Sequence, residues 1–475
     1  MATQPSQKQR SPTLRICFTT EMWERFAFMM VMGLLVFILL KQYHLPDSRA
    51  AETTGAFTGV VYITSLLGGY IADHYIGYYR AVIVGAFFLL VGYMLLALTS
   101  SFFFLCCSLG TVCVGTGLLK SNVSSYLGLT FDNNHAQRQR AFSIFYAGIN
   151  IGAMLGNITS GYCYEGLGSA ACFTIAATGI AIGLLVFYFG FRYFNITIIK
   201  SQVSGRNWLY ALLMSLFGII LSAYVIYLPD LATAFFTIVV IGSVYLIYRY
   251  SAFSTKQMKK STAFFLFLII GIIFNAIFNQ MFLSMNVFND RLVNHILFGH
   301  DIPTQLFLIT NNIAVIALSL TISRALNYLR DANKFILGMF LCSFVFFIIN
   351  IGLHITAESA LLPAYWVITA YVVLSTAEVC ISPIGLSLAS RLAPEGRNGF
   401  FMGLWLLTYG IGGYLGGVIA KIAAIPKDIK YSITQMKAIY THAFDVFTWI
   451  SIGALLLTLA AAVAIKKLIP PTRSP

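Results

Sequence analysis

Five ionisable side chains stand inside stretches otherwise apolar enough to cross a lipid bilayer: Glu21, Glu24 and Arg25 within Glu21-Met22-Trp23-Glu24-Arg25-Phe26, then Lys120, then Glu378. A charge at bilayer depth costs roughly 2.5–3.5 kcal/mol on insertion scales, so such groups face a cavity or a partner. Glu21 and Arg25 are four positions apart and Glu21 and Glu24 three, which puts all three on one helix face where they can pair. Glu378 is the only acid expected deep within the second half, and Lys120 from the first half is its natural counter-charge. The formal charges of the five add to minus one. One proton therefore neutralises the set, and a zwitterionic ligand leaves it neutral. The chemistry that suits this is coupling: protonating a first-helix carboxylate frees Arg25, while a ligand carrying both charges exchanges with Lys120 and Glu378.

Other polar residues fall at helical spacing within apolar runs. Tyr146 and Asn150 are four apart on the fifth helix, and Asn275 and Asn279 are four apart with Gln280 beside them. Asn311 and Asn312 open a later helix, and Ser382 follows Glu378 by one turn, next to Pro383, which interrupts the local hydrogen-bond ladder. In an ordinary bundle such residues are often interhelical glue. The stretch Gly115 to Asn122 is no phosphate loop, because no Gly directly precedes Lys120 and no strand leads into it.

The elements that must carry these residues are legible from composition. Hydrophobic residues make up 59% of the chain, charged residues 10%, and mean hydropathy is +0.82. This is the composition of an all-α polytopic membrane protein. Apolar runs of about 20 residues predict fourteen spans in the order six, two and six. They give a tail over 1–13, a six-helix bundle over 14–200, two extra helices over 201–260, a second six-helix bundle over 261–468 and a tail over 469–475. The first run is too long for a cleavable signal and lacks a small-residue cleavage site, so it is expected to stay as a spanning helix. A net charge of +14 reads as topology signal rather than nucleic-acid binding, since the Lys and Arg lie in short clusters between apolar runs. Most fall on one side if both termini are cytoplasmic. Lys421, Lys427, Lys430 and Lys437 run against that rule. The eight cysteines form no CxxC pair, which argues against a zinc site or disulfide frame.

Several stretches resemble the proton-dependent oligopeptide transporters, a branch of the major facilitator superfamily. Glu21 to Phe26 is similar to that family's ExxERF motif. Gly68-Gly69-Tyr70-Ile71-Ala72-Asp73, continuing through Gly77 to Arg80, resembles the superfamily loop motif, with His74 in place of the usual Arg. Phe142 to Gly152 resembles the family's fifth-helix signature, Glu378 to Leu386 its tenth-helix motif, and Trp405 follows where the family has a tryptophan. The resemblance implies two six-helix bundles plus two extra central helices of the prokaryotic type, and a proton-coupled symporter importing di- and tripeptides by alternating access. It implies that Glu21, Glu24, Arg25, Lys120 and Glu378 couple the proton. It also implies that Arg25, Tyr62, Lys120, Tyr146, Asn150, Asn279, Gln280, Asn311, Glu378, Ser382 and Trp405 meet the substrate. Lys120 would hold the peptide carboxylate, and Glu378, with Asn150 and Asn311, its amino group; Tyr62, Tyr146 and Trp405 would be aromatic walls.

Two departures bear on substrate. Where many members continue with two tyrosines and later an arginine, this chain has Phe28, Met29, Met30 and Met32, and where many have Glu-Gln it has Asn279-Gln280. The expected partners are protons, small peptides and the lipid bilayer, with no nucleic acid, no cofactor and no metal, and the expected form is a monomer in a bacterial inner membrane. An enzyme is not expected, because the histidines fall in loops or at helix ends with no HExxH. The rival readings are a carrier for another small solute, such as an amino-acid derivative or siderophore-like compound, and a non-transporting peptide sensor.

Overall fold

A computed structural model describes residues 7–131, 135–196, 198, 203–251, 254–297, 299–326, 329, 331–394, 397–427 and 430–468. It is nearly all helix. The helices are α1 (Gln7–Phe37), α2 (Asp47–Ile71), α3 (Tyr78–Leu98), α4 (Phe102–Thr130), α5 (His135–Tyr193), α6 (Gly205–Tyr227) and α7 (Pro229–Ser251). They continue as α8 (Thr255–Phe278), α9 (Ser284–Leu292), α10 (Phe307–Leu326), α11 (Asp331–Ile355), α12 (Ala364–Leu392), α13 (Asn398–Ala420) and α14 (Ile433–Leu468). Among the described residues twelve helical segments have the length and apolar composition to cross a membrane. One of them, Arg140–Tyr193, runs 54 residues. It turns at Gly168, whose φ of 81° favours glycine, and so holds two of the expected passes. A shorter apolar helix, Thr304–Ser319, stands where the remaining one was expected.

Local chemistry sets the ends. Ser101, Ser204 and Ser254 cap α4, α6 and α8 by accepting a hydrogen bond from a backbone N–H three residues on. Pro229 opens α7 directly after the Leu228 turn, where its missing N–H costs nothing. The expected span over 262–287 is interrupted: α8 tightens into a 3₁₀ turn at Asn279–Phe282, and Leu283 leaves helical geometry (φ −113°, ψ −107°) before α9 resumes. Gln280 sits at the break: its side-chain amide donates to the Ala276 carbonyl one turn back (3.0 Å) and to the Gly416 carbonyl on α13 (2.9 Å), and its side-chain carbonyl accepts from Ser284 (2.7 Å). The last helix starts ten residues before its expected start near Ala443, which places His442 inside α14 rather than at its end.

The chain forms two compact units, Met1–Tyr43 with Val60–Leu231, and His44–Gly59 with Ala232–Pro475. The first holds α1, α3 to α6 and most of α2; α6 lies against α4, with Gly110 facing the Ile219 carbonyl. The second holds the start of α2 and the helices from α7 onward, with the Phe236 ring of α7 stacked on Tyr414 of α13 at 4.1 Å. Three of the four anomalous lysines have partners inside this second unit: Lys421 pairs with Glu52 (2.7 Å), Lys427 donates to the His44 carbonyl, and Lys437 donates to the Ala357 carbonyl (2.8 Å). These contacts hold the three lysines within the second unit.

Candidate functional site

In the first unit α1 brings Glu21, Glu24 and Arg25 together, all at most 3% exposed. The pairing differs from the expected one. Arg25 forks onto Glu24 through Nε–Oε2 (2.5 Å) and Nη2–Oε1 (2.6 Å), while Glu21 lies 3.9 Å from Nε with no hydrogen-bond partner for either oxygen among the described residues. A planar guanidinium satisfied by one carboxylate presents a two-pronged, charge-assisted bond. That leaves Glu21 as the uncommitted acid. The Arg25 guanidinium also lies over the Phe28 ring at 4.4 Å, so the phenylalanine standing where many relatives have tyrosine still meets the charge, through its face.

The fifth helix is pressed onto this cluster by glycines. A Cβ on Gly152 would fall 2.1 Å from the Met22 carbonyl oxygen, and one on Gly156 2.4 Å from that of Phe26; on Gly148 it would meet Phe18. Gly148, Gly152 and Gly156 recur every four residues, the pattern of closely packed membrane helices. The spacing was present in the sequence and would have revealed which helix closes over the charges. Tyr146 is exposed, and Asn150 is 7% exposed with its amide turned to the Tyr146 carbonyl of its own helix (3.0 Å). On α4, Lys120 places its ammonium 5.1 Å from the centre of the Tyr62 ring. Both are half-buried.

In the second unit Glu378 accepts a hydrogen bond from Asn311 Nδ2 (3.2 Å), and the same amide donates to Ser375 Oγ (2.9 Å). Asn311 and Glu378 are thus brought together as expected. Ser375, three residues before Glu378, completes the group and was missed, because a lone serine in a helix is a weak signal. Ser382 is half-buried one turn on. Asn279 donates to the Asn275 carbonyl (2.8 Å), and Gln280 is committed to the helix break, so both amides serve the backbone. Trp405 is 1% exposed, wedged where a Cβ on Gly385 would fall 1.8 Å from its ring. Asp445 on α14, an exposed side chain, accepts from Asn350 (2.7 Å). No group of three or more His, Cys, Asp or Glu that could hold a metal occurs among the described residues.

The sequence model of the POT family matches residues 79–430. The chain belongs to the POT family. It is 30% identical over 473 residues to the dipeptide and tripeptide permease B of Salmonella typhimurium (strain LT2), spanning 95% of this chain and 94% of that protein. It is 27% identical over 440 residues to the dipeptide and tripeptide permease A of Proteus mirabilis (strain HI4320), 90% of each. The tetrameric crystal structure of PepTSo2 matches the fold with a TM-score of 0.86 at 23% identity, over 97% of this chain and 100% of that one. As a POT member this chain is an integral membrane transporter and not an enzyme. Within that family, its motif residues hold the geometry given above.

Proposed function

We propose that the chain is a proton-coupled symporter that imports di- and tripeptides by alternating access, working as a single chain in a bacterial inner membrane with both termini cytoplasmic. The observation that carries this reading is the buried Glu24–Arg25 fork with an uncommitted Glu21 beside it. A carboxylate that accepts no hydrogen bond among the described residues can take up and release a proton without breaking the Glu24–Arg25 fork. Glu21 is the proton acceptor, and Glu24 holds Arg25 until that proton arrives. Lys120, its ammonium beside the Tyr62 ring, is a cationic anchor for a peptide carboxylate. Glu378, oriented by Asn311, is the anionic anchor for its amino group. An extended dipeptide carries its two opposite charges roughly 7 Å apart, so a cationic and an anionic anchor can each take one end.

The test is thermal stabilisation of the purified protein by a panel of di- and tripeptides against free amino acids. A ligand that binds only the folded state raises stability by about 2.7 kcal/mol at a hundred times its dissociation constant. Peptides are expected to raise the melting temperature and single amino acids to leave it unchanged. A shift by amino acids or their derivatives without one by peptides would reassign the substrate.

A further inference from the structure

Within the second unit, α7 is clasped to α13 at two places and leaves a cleft between them. Toward the start of α7 the Phe236 ring stacks on Tyr414 (4.1 Å), and Thr233 shares a hydrogen bond with the Tyr414 hydroxyl (2.7 Å). Toward its end the Tyr250 ring meets Phe400 (5.2 Å), and the Arg397 guanidinium lies over the Tyr250 ring at 4.4 Å. Phe236 and Tyr250 are about 21 Å apart along the helix. Between the clasps lies a cleft of about 370 Å³, its open mouth included, walled on one side by Val240, Ser243, Val244 and Ile247 of α7 and on the other by α8 and α13. Its two hydroxyl-bearing side chains are turned to backbone: Ser243 donates to the Val239 carbonyl (2.7 Å) and Thr408 to the Trp405 carbonyl (2.7 Å). Val240 and Val244 stay 37% and 41% exposed. The wall offers contact to an alkyl chain and no polar group to a polar ligand.

One end of the cleft is basic. Leu404 and Ile411 line it from α13, and Arg397 precedes them at the same seven-residue spacing, so Arg397 continues the face that forms the wall. At that end Phe401 of α13 meets Phe264 of α8 (4.9 Å), and α8 brings Lys259 and Lys260 close by in sequence. Arg249, turned to the Tyr245 hydroxyl (3.4 Å), adds a further charge near the end of α7, and no Asp or Glu occurs between Asp230 and Asp290. A guanidinium stacked by its face directs its N–H groups outward from the edge, the geometry that phosphate takes. We propose that the cleft is a binding site for an anionic phospholipid, with one acyl chain seated between α7 and the α8–α13 pair and the phosphate held by Arg397. The distance between the clasps exceeds the roughly 15 Å of hydrocarbon in one leaflet, so a chain fits along it. Basic pockets between membrane helices select anionic headgroups, and the apolar wall explains why the ligand is a lipid and not a free phosphate. The site depends on the chain lying in a bilayer, not on the solute it carries.

Native mass spectrometry of the full-length protein tests this, after extraction from vesicles holding equal phosphatidylglycerol and phosphatidylcholine with identical chains. The protein is expected to keep phosphatidylglycerol in preference to phosphatidylcholine. Equal retention of the two lipids, or none of either, overturns the site. Arg397→Gln is expected to lower the preference about fivefold, the weight of one basic residue near an anionic headgroup, and an unchanged preference overturns the anchor. If Arg397→Gln does not fold, the wild-type preference is measured against added salt, which should weaken it; a preference indifferent to salt refutes the headgroup contact. Val244→Trp fills the cleft and is expected to lose the retained lipid, whereas Ile238→Trp, at a position 69% exposed and off the cleft wall, is expected to keep it. Equal retention by these two variants overturns the chain seat. Ser243→Leu replaces Val244→Trp if that protein does not fold, with the same expectation and the same refutation.

Discussion

The two first-helix carboxylates are alike in burial and differ in what they hold, and that difference separates their mutants. Glu24 makes both prongs of the Arg25 fork, so Glu24→Ala leaves a buried guanidinium without its partner, at a cost of about 3–5 kcal/mol. Glu21 makes no hydrogen bond among the described residues, so Glu21→Gln is expected to change stability by less than about 1 kcal/mol while abolishing proton-driven uptake. Chemical denaturation of each variant beside a uptake assay separates the two. Equal destabilisation by both substitutions would contradict the division of labour. At this scale the sequence showed which residues were expensive but not how they pair. Helical spacing favours Glu21 with Arg25, and only side-chain geometry shows that the long Arg25 side chain folds back onto its immediate neighbour. The same limit applies to Asn279 and Gln280: their types fit a substrate site, but whether an amide faces a ligand or a backbone carbonyl depends on a local helix break that no periodicity signals.

Among the elements, the contact of α1 with α5 decides whether the charges stay buried. A Cβ on Gly152 would lie 2.1 Å from a backbone oxygen, and backbone cannot yield as a flexible side chain does. Gly152→Ala is therefore expected to destabilise the protein by about 1–3 kcal/mol, the usual range for overpacking. Gly166, on the same helix with nothing within 4 Å of its Cβ position, is the control, and Gly166→Ala should stay within about 0.5 kcal/mol of wild type. Thermal melts of the two proteins in one detergent decide the matter, and matched melting temperatures would mean that α5 can back away at no cost. Most helices were readable from apolar run length, because twenty apolar residues have few other uses. The exceptions have physical causes. Gly168 turns α5 without interrupting it, and α14 begins among polar residues at Ile433, where Lys437 donates to the Ala357 carbonyl, so its first turns carry no apolar signal.

For the whole molecule the consequential quantity is charge moved per cycle. A zwitterionic peptide entering with one proton carries one net positive charge inward, and the formal sum of minus one over Glu21, Glu24, Arg25, Lys120 and Glu378 leaves the loaded carrier's buried set neutral. Two driving forces should then be interchangeable. A membrane potential, negative inside, supplies about 2.3 kcal/mol per charge per 100 mV, enough for roughly 50-fold accumulation. The sign is fixed: an inside-negative potential imposed by a potassium gradient with valinomycin, at equal pH on both sides, is expected to drive peptide uptake, and an inside-positive one to drive efflux. An acidic exterior without a potential should drive uptake as well, because protonation of Glu21 from that side is then favoured. Peptide accumulation that follows the pH gradient but ignores the potential would mean that a second, compensating ion crosses with each proton, because Lys120 and Glu378 return to their starting state in every cycle and move no net charge. The same experiment on Lys120→Ala shows whether that lysine holds the carboxylate, since removal of the anchor should abolish accumulation under either force while a folded protein remains.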